Sequence, residues 1–397
     1  MREGRVVIVG GGAAGLAAAV SAARSGARVT LLEAGARVGR KILASGNGRC
    51  NLSNLGVAPA AYNDPGFVSA VLGEFPCESI RSFFRGLGLL SYADAEGRIY
   101  PVTNAANSVL DVLRLECAHL GVEERCGFEV AHVQSEPGSG VLTIFSPDGS
   151  WVSADAVIVA TGGGASVLAD IGHKQTPYTP ALVPLVTEQE PIRGLSGVRV
   201  RCAASLIDAD GQTLATERGE LLFRDYGVSG IMVFDLSRAY VERSTLSIDL
   251  FPDIELAEME RLLIERHDTL GWRTAGGFFD GMLHTRVAQA VLRAAGASSG
   301  DPASTIDATS LAAIVKDFRL GAVGRGEVRQ AQVTRGGACV EGFDAATLAS
   351  DLVSGVFAAG EVLDIDGRCG GFNLHWAWGS GIVAGRGAAA HATGVPA

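Results

Sequence analysis

The chain has no Cys-x-x-Cys pair. Its seven cysteines (Cys50, Cys77, Cys117, Cys126, Cys202, Cys339 and Cys369) are odd in number and lack metal-ligand spacing. A disulfide framework and a zinc site are both unsupported, and no metal is expected. The pattern fits a reducing, cytoplasmic setting. Basic residues are in deficit, 33 Lys and Arg against 43 Asp and Glu, for a net charge of -10. Such a surface has little general attraction for nucleic acid or an anionic membrane. P-loop, His-Glu-x-x-His and nucleophile-elbow patterns are missing, which removes the usual nucleotide-hydrolase, zinc-peptidase and serine-hydrolase readings. Charged residues make up only 19% against 47% hydrophobic, so the chain is not disordered. The one long apolar run, Val6 to Ala23, is interrupted by Gly10, Gly11 and Gly12 and followed by the strand-like ARVTLLE. It therefore reads as neither a signal peptide nor a membrane span.

Glycine, by contrast, is abundant at 53 of 397 residues and clusters in short loops. The length calls for two domains. Arg5 to Val9 is a β-branched run typical of a buried parallel strand. Gly10, Gly12 and Gly15 follow in the order G-x-G-x-x-G, then an alanine-rich helix to Arg24 and a second strand, Val29 to Leu32, ending at Glu33. Gly10 suits a tight turn, Gly12 lets the backbone approach a pyrophosphate, and Gly15 lets helix and strand pack closely. The helix N-terminus offers unpaired N–H groups to phosphates. Glu33, about twenty residues on, is placed to bind a ribose hydroxyl pair and disfavours a 2′-phosphate. These features predict a dinucleotide site.

The fingerprint alone does not separate NAD from FAD. After Glu33 the sequence does not continue as regular βαβ repeats but as GARVGRKILASGNGRCNLSN, Gly35 to Asn54. Its glycines permit close backbone approach, and Arg40, Lys41 and Arg49 suit phosphates or an electron-rich ring. A second glycine-rich segment, AAGEVLDIDGRCGGFNLHWAWGSG, spans Ala358 to Gly381. It reads as a strand ending at Gly360 and Glu361, a turn at Gly370 and Gly371, and a helix from Asn373. FAD is long enough to need both segments. Glu361 then meets a ribitol hydroxyl, and the helix N-terminus meets the N1/O2 edge of the flavin, where reduction leaves negative charge.

The segments ASGNGRCNLSN, GRIYP, VIVATGG, PALVPL, GELLFRDYGVSG, VTRGGA and AGEVLDIDGRCGGFNLHWAWGSG, in this order, resemble the BaiN-like flavoprotein family, which includes aminoacetone oxidase-type proteins. The resemblance runs from Val6 to Ala389. It implies a non-covalent FAD and an α/β architecture: a discontinuous Rossmann-like FAD domain (1–189 and 335–397) with an inserted β-barrel and helical domain (190–334). It assigns Gly10, Gly12, Ala14, Gly15, Glu33 and the adjoining Ala34 to the ADP half. Val130, Ala160, Thr161 and Gly162 flank the adenosine. Arg40, Lys41, Gly46, Asn47, Gly48, Arg49, Cys50, Asn51, Gly360, Glu361, Gly370, Gly371, Phe372, Asn373 and Leu374 surround the flavin half. Two departures stand out. Only GASVLADI separates Gly163 from Gly172 and His173, where the family has a longer segment. His375 replaces a common glutamine, and it reads either as a proton-transfer group or as a buried packing residue.

Between the halves, Leu185 to Leu250 reads as short strands with a turn at Asp210 and Gly211, an antiparallel or barrel pattern. Helical spacing follows at Leu256 to His267, Arg286 to Ala295 and Leu311 to Phe318, with a returning strand at Glu327 to Thr334. Gly127 to Val133 and Trp151 to Ala160 read as further strands. The insert supplies Arg224, Asp225 and Tyr226 either to a substrate wall or to a plain hairpin. A Cys50–Cys369 redox pair is a minor reading without Cys-x-x-Cys support. The functional expectation is an FAD-dependent oxidoreductase moving hydride between a small organic substrate and the flavin N5. Arg49 and His375 are the candidate catalytic residues, and NAD(P)H is a candidate transient electron donor, because no second dinucleotide fingerprint occurs. An amine or alcohol oxidase using O2 is the alternative. A flavin-binding RNA-modifying, assembly or sensor protein is the alternative of another class. Neither a nucleic-acid nor a membrane partner is expected, and the sequence sets no oligomeric state.

Overall fold

The computed structural model describes residues 4–135, 140–163, 167–326, 331 and 333–395. The chain divides into two compact units, Met1–Thr179 with Val333–Ala397, and Pro180–Gln332. The first contains a five-stranded parallel sheet in the order Val356–Ala358, Ala156–Val159, Arg5–Val9, Arg28–Glu33 and Glu123–Cys126. Val9 pairs in register with both Val159 and Leu32, and Val159 with Ala358, so the carboxyl ends of the central strands are level. Both glycine-rich segments leave the sheet at this edge, where doubly wound sheets bind ligands. Val6 to Val9 and Ala156–Val159 are buried, apolar and rich in β-branched residues, as a sheet covered on both faces requires. Arg5 pins the other edge. Its backbone N–H and guanidinium both donate to Asp155, at 2.9 Å and 3.1–3.2 Å.

Helix Ala13–Arg24 packs on this sheet against the C-terminal helix Phe372–Thr393. The contact needs glycine. A Cβ on Gly381 would stand 2.3 Å from the Ala14 carbonyl oxygen, and one on Gly385 would stand 2.6 Å from that of Ala18. Ser21 Oγ donates to the Ile382 carbonyl at 2.9 Å, closing the seam. Helices Pro65–Glu74, Cys77–Gly86 and Ala106–His119 follow in the chain between strands Arg28–Glu33 and Glu123–Cys126 of this sheet. Asp64 caps the first of them by accepting from Phe67 N–H at 2.9 Å, with Pro65 at its first position. None of these three helices was drawn from the sequence.

The second unit holds a closed antiparallel barrel of Leu185–Thr187, Gly227–Ser229, Thr213–Arg224, Arg199–Ile207, Thr245–Asp249 and Phe318–Arg325. Helices Leu256–Leu270, Ala275–Phe278, Thr285–Ala294 and Ala308–Lys316 share its separate apolar core. Asp225 and Tyr226 form the turn after Arg224, and the Tyr226 carbonyl accepts from Thr187 N–H at 3.1 Å.

Several local expectations change. The unit begins at Pro180, not 190, because Leu185–Thr187 is a barrel strand. The helix over Leu311 ends at Lys316, and Phe318 opens a strand instead. Trp151 to Ala160 is two strands: Asp155 turns to Arg5, so Trp151–Ala154 joins a small antiparallel sheet and only Ala156–Val159 enters the parallel one. Gly127 to Val133 is mostly loop, flanked by strands Glu123–Cys126 and His132–Ser135. Of the strand expected at Glu327 to Thr334, residues 327–330 and 332 lie outside the described residues, and the strand found is Val333–Ala338. Residues 164–166 of the shortened GASVLADI segment also lie outside them.

Candidate cofactor site

The first loop is built as its spacing requires. Gly10 has φ 107°, and a Cβ there would meet the Ala160 carbonyl at 2.5 Å. A Cβ on Gly15 would stand 1.9 Å from the Gly10 carbonyl oxygen, so helix and strand touch through backbone alone. Gly12 is the opposite case. Nothing lies within 4 Å of its missing Cβ, and no side chain caps the helix that follows it. Open space before an uncapped helix N-terminus suits a phosphate.

Glu33 has a duty that sequence spacing did not reveal. Its Oε2 accepts from Gly11 N–H at 2.9 Å and its Oε1 from Gly35 N–H at 2.7 Å, so the carboxylate clamps the loop it adjoins. Each oxygen retains a lone pair for a ribose hydroxyl. Gly127 N–H donates to the Gly35 carbonyl and Phe128 N–H to that of Glu33, both at 3.0 Å, which brings half-buried Val130 to this end of the site. Ala34, Arg40 and Lys41 are exposed. Ala160 N–H donates to the Val9 carbonyl at 2.8 Å, and the Oγ1 of the following Thr161 is buried without a partner.

The segments far apart in sequence meet here. A Cβ on Gly360 (φ 76°) would lie 2.8 Å from the Ala14 Cβ, so the N-terminal loop and the C-terminal segment are in direct contact. Glu361 is held by Lys41 Nζ at 3.1 Å and by Thr334 N–H, beside Gly162. Gly46 and Asn47 are both left-handed (φ 56° and 55°), and Gly48 and Cys50 also have positive φ. This tight turn buries Cys50, whose thiol is pushed up to about 11 by loss of solvent. It stays protonated, and none of the seven cysteines is in a disulfide. Arg49 lies exposed, with its guanidinium 4.6 Å from the centre of the Tyr100 ring, a cation–π contact.

The last segment is equally constrained. Gly370 and Gly371 have φ 110° and 105°, and Gly371 is the N-cap of the C-terminal helix, which no side chain caps. Asn54 Nδ2 donates to the Gly370 carbonyl at 2.9 Å. The Asn373 side chain faces its own loop, accepting from Gly367 N–H at 2.8 Å and donating back to the Gly367 carbonyl at 2.9 Å. The Phe372 carbonyl takes the Tyr62 hydroxyl at 2.9 Å, and Leu374 is half-buried. His375 is fully buried. Nδ1 lies 2.8 Å from Ser53 Oγ and Nε2 lies 2.9 Å from the Phe75 carbonyl. The carbonyl can only accept, so Nε2 carries the proton and Nδ1 accepts from Ser53. Burial holds the imidazole down at about 4, against a smaller opposing effect of the Phe75 bond. With both nitrogens engaged inside the protein, the ring serves as a brace between helix and loop. Ser53, Tyr100 and Ser380 lie within the quoted motifs but were not singled out from them, and Tyr62 lies outside; Ser380 Oγ accepts from Gly360 N–H at 2.9 Å and donates to the Trp376 carbonyl at 2.5 Å.

The residues fit FAD. Two buried polar atoms lack partners, Oγ1 of Thr161, a residue against Gly10, and Asn51 Oδ1 against Gly371, and the helices starting after Gly12 and Gly371 have no side-chain cap. A fold of this type with this cradle defines an FAD-binding Rossmann protein. The chain belongs to the HI0933-like protein Rossmann domain family, which it matches over residues 4–387. It is 33% identical to the 3-dehydro-bile acid delta(4,6)-reductase of Clostridium scindens, over 97% of this chain and 99% of that protein. It is 29% identical to the ribosomal RNA dihydrouridine synthase of Escherichia coli, over 94% of this chain and 95% of the relative. Among solved structures, 3-ketosteroid delta1-dehydrogenase from Sterolibacterium denitrificans aligns with a TM-score of 0.52 at 13% identity, covering 97% of this chain and 99% of that one, a likeness of fold. The protein is an FAD-dependent oxidoreductase, and the resemblance drawn from its motifs holds. Among the described residues no helix is long and apolar enough to cross a membrane, and no cluster of metal-ligating side chains occurs.

Proposed function

We propose that the protein reduces a carbon–carbon double bond conjugated to a carbonyl group in a small organic substrate, with NAD(P)H as a transient electron donor. The observation that carries this reading is the end-to-end likeness to a reductase whose name sets its double bonds beside a 3-oxo group. Bound flavin supplies the hydride, through N5. The chain supplies the rest. The uncapped N-terminus of helix Phe372–Thr393 favours the negative charge that reduction places on the ring, by ~0.3–1 kcal/mol when exposed and more when buried. The closely packed loops Ser45–Asn51 and Gly370–Gly371 position the ring, and Arg49 offers a permanent positive charge beside them. Hydride goes to the β-carbon, and a proton from solvent completes the α-carbon.

Anaerobic stopped-flow measurement on the yellow protein tests this. NADH or NADPH is expected to bleach the flavin, and an enone to restore its colour without oxygen. Bleaching by an amine or alcohol, with recovery only on admitting O2, would make the protein an oxidase. A second reading has its own support in the 29% and 26% identical relatives named ribosomal RNA dihydrouridine synthases. The uracil C5–C6 bond is likewise conjugated to a carbonyl, so the chemistry is shared and only the substrate differs. The net charge of -10 weighs against a large polyanion. Dihydrouridine missing from the ribosomal RNA of cells deleted for this chain, and restored by it, would favour that reading.

A further inference from the structure

Strands Ser53–Asn54, Arg98–Pro101 and Ser91–Ala93 form a three-stranded antiparallel sheet. Side chains alternate along a strand, and directly paired residues share a face. Ser53 and Ile99, paired and fully buried, face the core. The pairs Asn54–Arg98 and Tyr92–Tyr100 therefore lie together on the other face. Val102 N–H donates to the Leu90 carbonyl at 3.0 Å, which carries the same alternation one step further and adds Leu90 and Val102 to that face. These two are 61% and 53% exposed. An open apolar pair continuous with two aromatic rings is a surface for an apolar ligand.

The opposite end of this face reaches the cofactor loops. A Cβ on Gly370 would stand 3.7 Å from Asn54 Nδ2 and 3.9 Å from Arg98 Cγ, and one on Gly46 would stand 3.5 Å from the Tyr100 ring. Arg98 is neutralised by Asp94 and Glu96, at 2.7 Å and 2.9 Å. Arg49, over the Tyr100 ring, has no carboxylate partner among the described residues. The Tyr100 ring is buried but its hydroxyl oxygen is not, and among the described residues nothing bonds that oxygen. Burial pushes the phenol up, against the lowering effect of Arg98 and Arg49, so it keeps its proton at neutral pH and can donate. We propose that this face is the substrate platform: the apolar body of the enone lies on Leu90 and Val102, and the Tyr100 hydroxyl donates to its carbonyl oxygen. Hydride arriving at the β-carbon moves an electron pair onto that oxygen. The Tyr100 hydrogen bond and the Arg49 charge stabilise the resulting enolate until solvent protonates the α-carbon. The proposal rests on the enone reading and adds to it the residues that recognise the substrate.

Tyr100→Phe keeps the ring and its Arg49 contact and removes only the hydroxyl. The test is anaerobic stopped-flow on FAD-loaded full-length protein whose flavin has been reduced with one equivalent of dithionite. Reoxidation of Tyr100→Phe by cyclohex-2-enone is expected to be about a hundredfold slower than wild type, the scale of one lost oxyanion donor, while reoxidation by O2 keeps the wild-type rate. Val102→Asp changes an exposed position. It is expected to raise the half-saturating concentration of a larger apolar enone, 4-androstene-3,17-dione, about tenfold, with the limiting rate and the kinetics of cyclohex-2-enone unchanged. Should Tyr100→Phe fail to hold FAD, the Val102→Asp comparison decides alone. Equal enone reoxidation by wild type and Tyr100→Phe, or indifference of the larger enone to Val102→Asp, overturns the proposal and leaves the enone reading standing. A reduced wild type that neither enone reoxidises overturns both.

Discussion

Replacing His375 with Gln should remove a definable part of the protein's acid sensitivity. The glutamine carboxamide can keep both bonds, donating to the Phe75 carbonyl and accepting from Ser53, so the brace survives without a titratable group. In the wild type the folded imidazole titrates at about 4, against 6.5 when unperturbed. As pH falls below 6.5, the unfolded chain takes up a proton that the folded chain refuses. Stability therefore declines as pH falls from neutrality toward 4, and this residue contributes no further loss below that. By pH 5 the loss from this one group is about 2 kcal/mol, from the linkage between the two values. Carboxylates held below their ordinary range, such as Asp94 beside Arg98 and Asp344 bonded to Thr347, are the same in both proteins and cancel in the difference. His173 is also held low by burial, but equally in both proteins, and so cancels in the difference. Urea denaturation at pH 7.5 and pH 5 under saturating FAD should show the wild type losing about 2 kcal/mol more than His375→Gln. Equal losses would show that the buried imidazole is not the sensor.

Other expectations follow from the glycines and one ion pair. Gly15→Ala puts a methyl group 1.9 Å from a carbonyl oxygen and should cost about 3 kcal/mol or more with loss of ADP binding, by denaturation and calorimetry. Gly381→Val should destabilise on a similar scale, about 3 kcal/mol, by prising apart the helices at Ala14. Gly73→Ala is the contrasting case. It is exposed in helix Pro65–Glu74 with nothing near its missing Cβ, and should stabilise by about 0.5–1 kcal/mol in the same assay. Lys41→Met breaks a pair whose lysine is 74% exposed, and should change the denaturation free energy by less than about 1 kcal/mol.

The parts of this protein that could be read from sequence are those where a residue's reason is local. Gly10, Gly12 and Gly15 carry their roles in their spacing, and the structure gives each the steric ground expected of it. The barrel strands announced themselves through β-branched runs and the Asp210–Gly211 turn, where Gly211 N–H donates to the Asp208 carbonyl at 3.2 Å. Leu311, Val315 and Phe318 fall at helical spacing, yet the helix ends at Lys316, whose Nζ bonds Asp249 at 2.7 Å and the Phe251 carbonyl at 2.9 Å. Periodicity does not report such tertiary anchors. The turn at Asp155 likewise depends on Arg5, 150 residues away. Within the site, Glu33 was legible as an acid but not as a clamp, and Asn51 as a loop residue but not as an unpaired acceptor. The Ser53–His375 brace joins positions 322 residues apart and leaves no mark on either neighbourhood.

The seam between helices Ala13–Arg24 and Phe372–Thr393 also acts as a gauge. Gly381 meets Ala14 and Ala17, and Gly385 meets Ala18 and Ser21, so the two helices advance in the same direction. Gly381 lies nine positions past the start of its helix and Ala14 one past the start of its own, a stagger of eight residues or about 12 Å. Two positive poles are thereby locked at a set separation, one for a pyrophosphate and one for a ring, with a polyol chain to run between them. ADP would reach only the first pole, and riboflavin, which carries no phosphate, would satisfy only the second. A methyl group inserted at the seam would change the length of molecule this protein can measure.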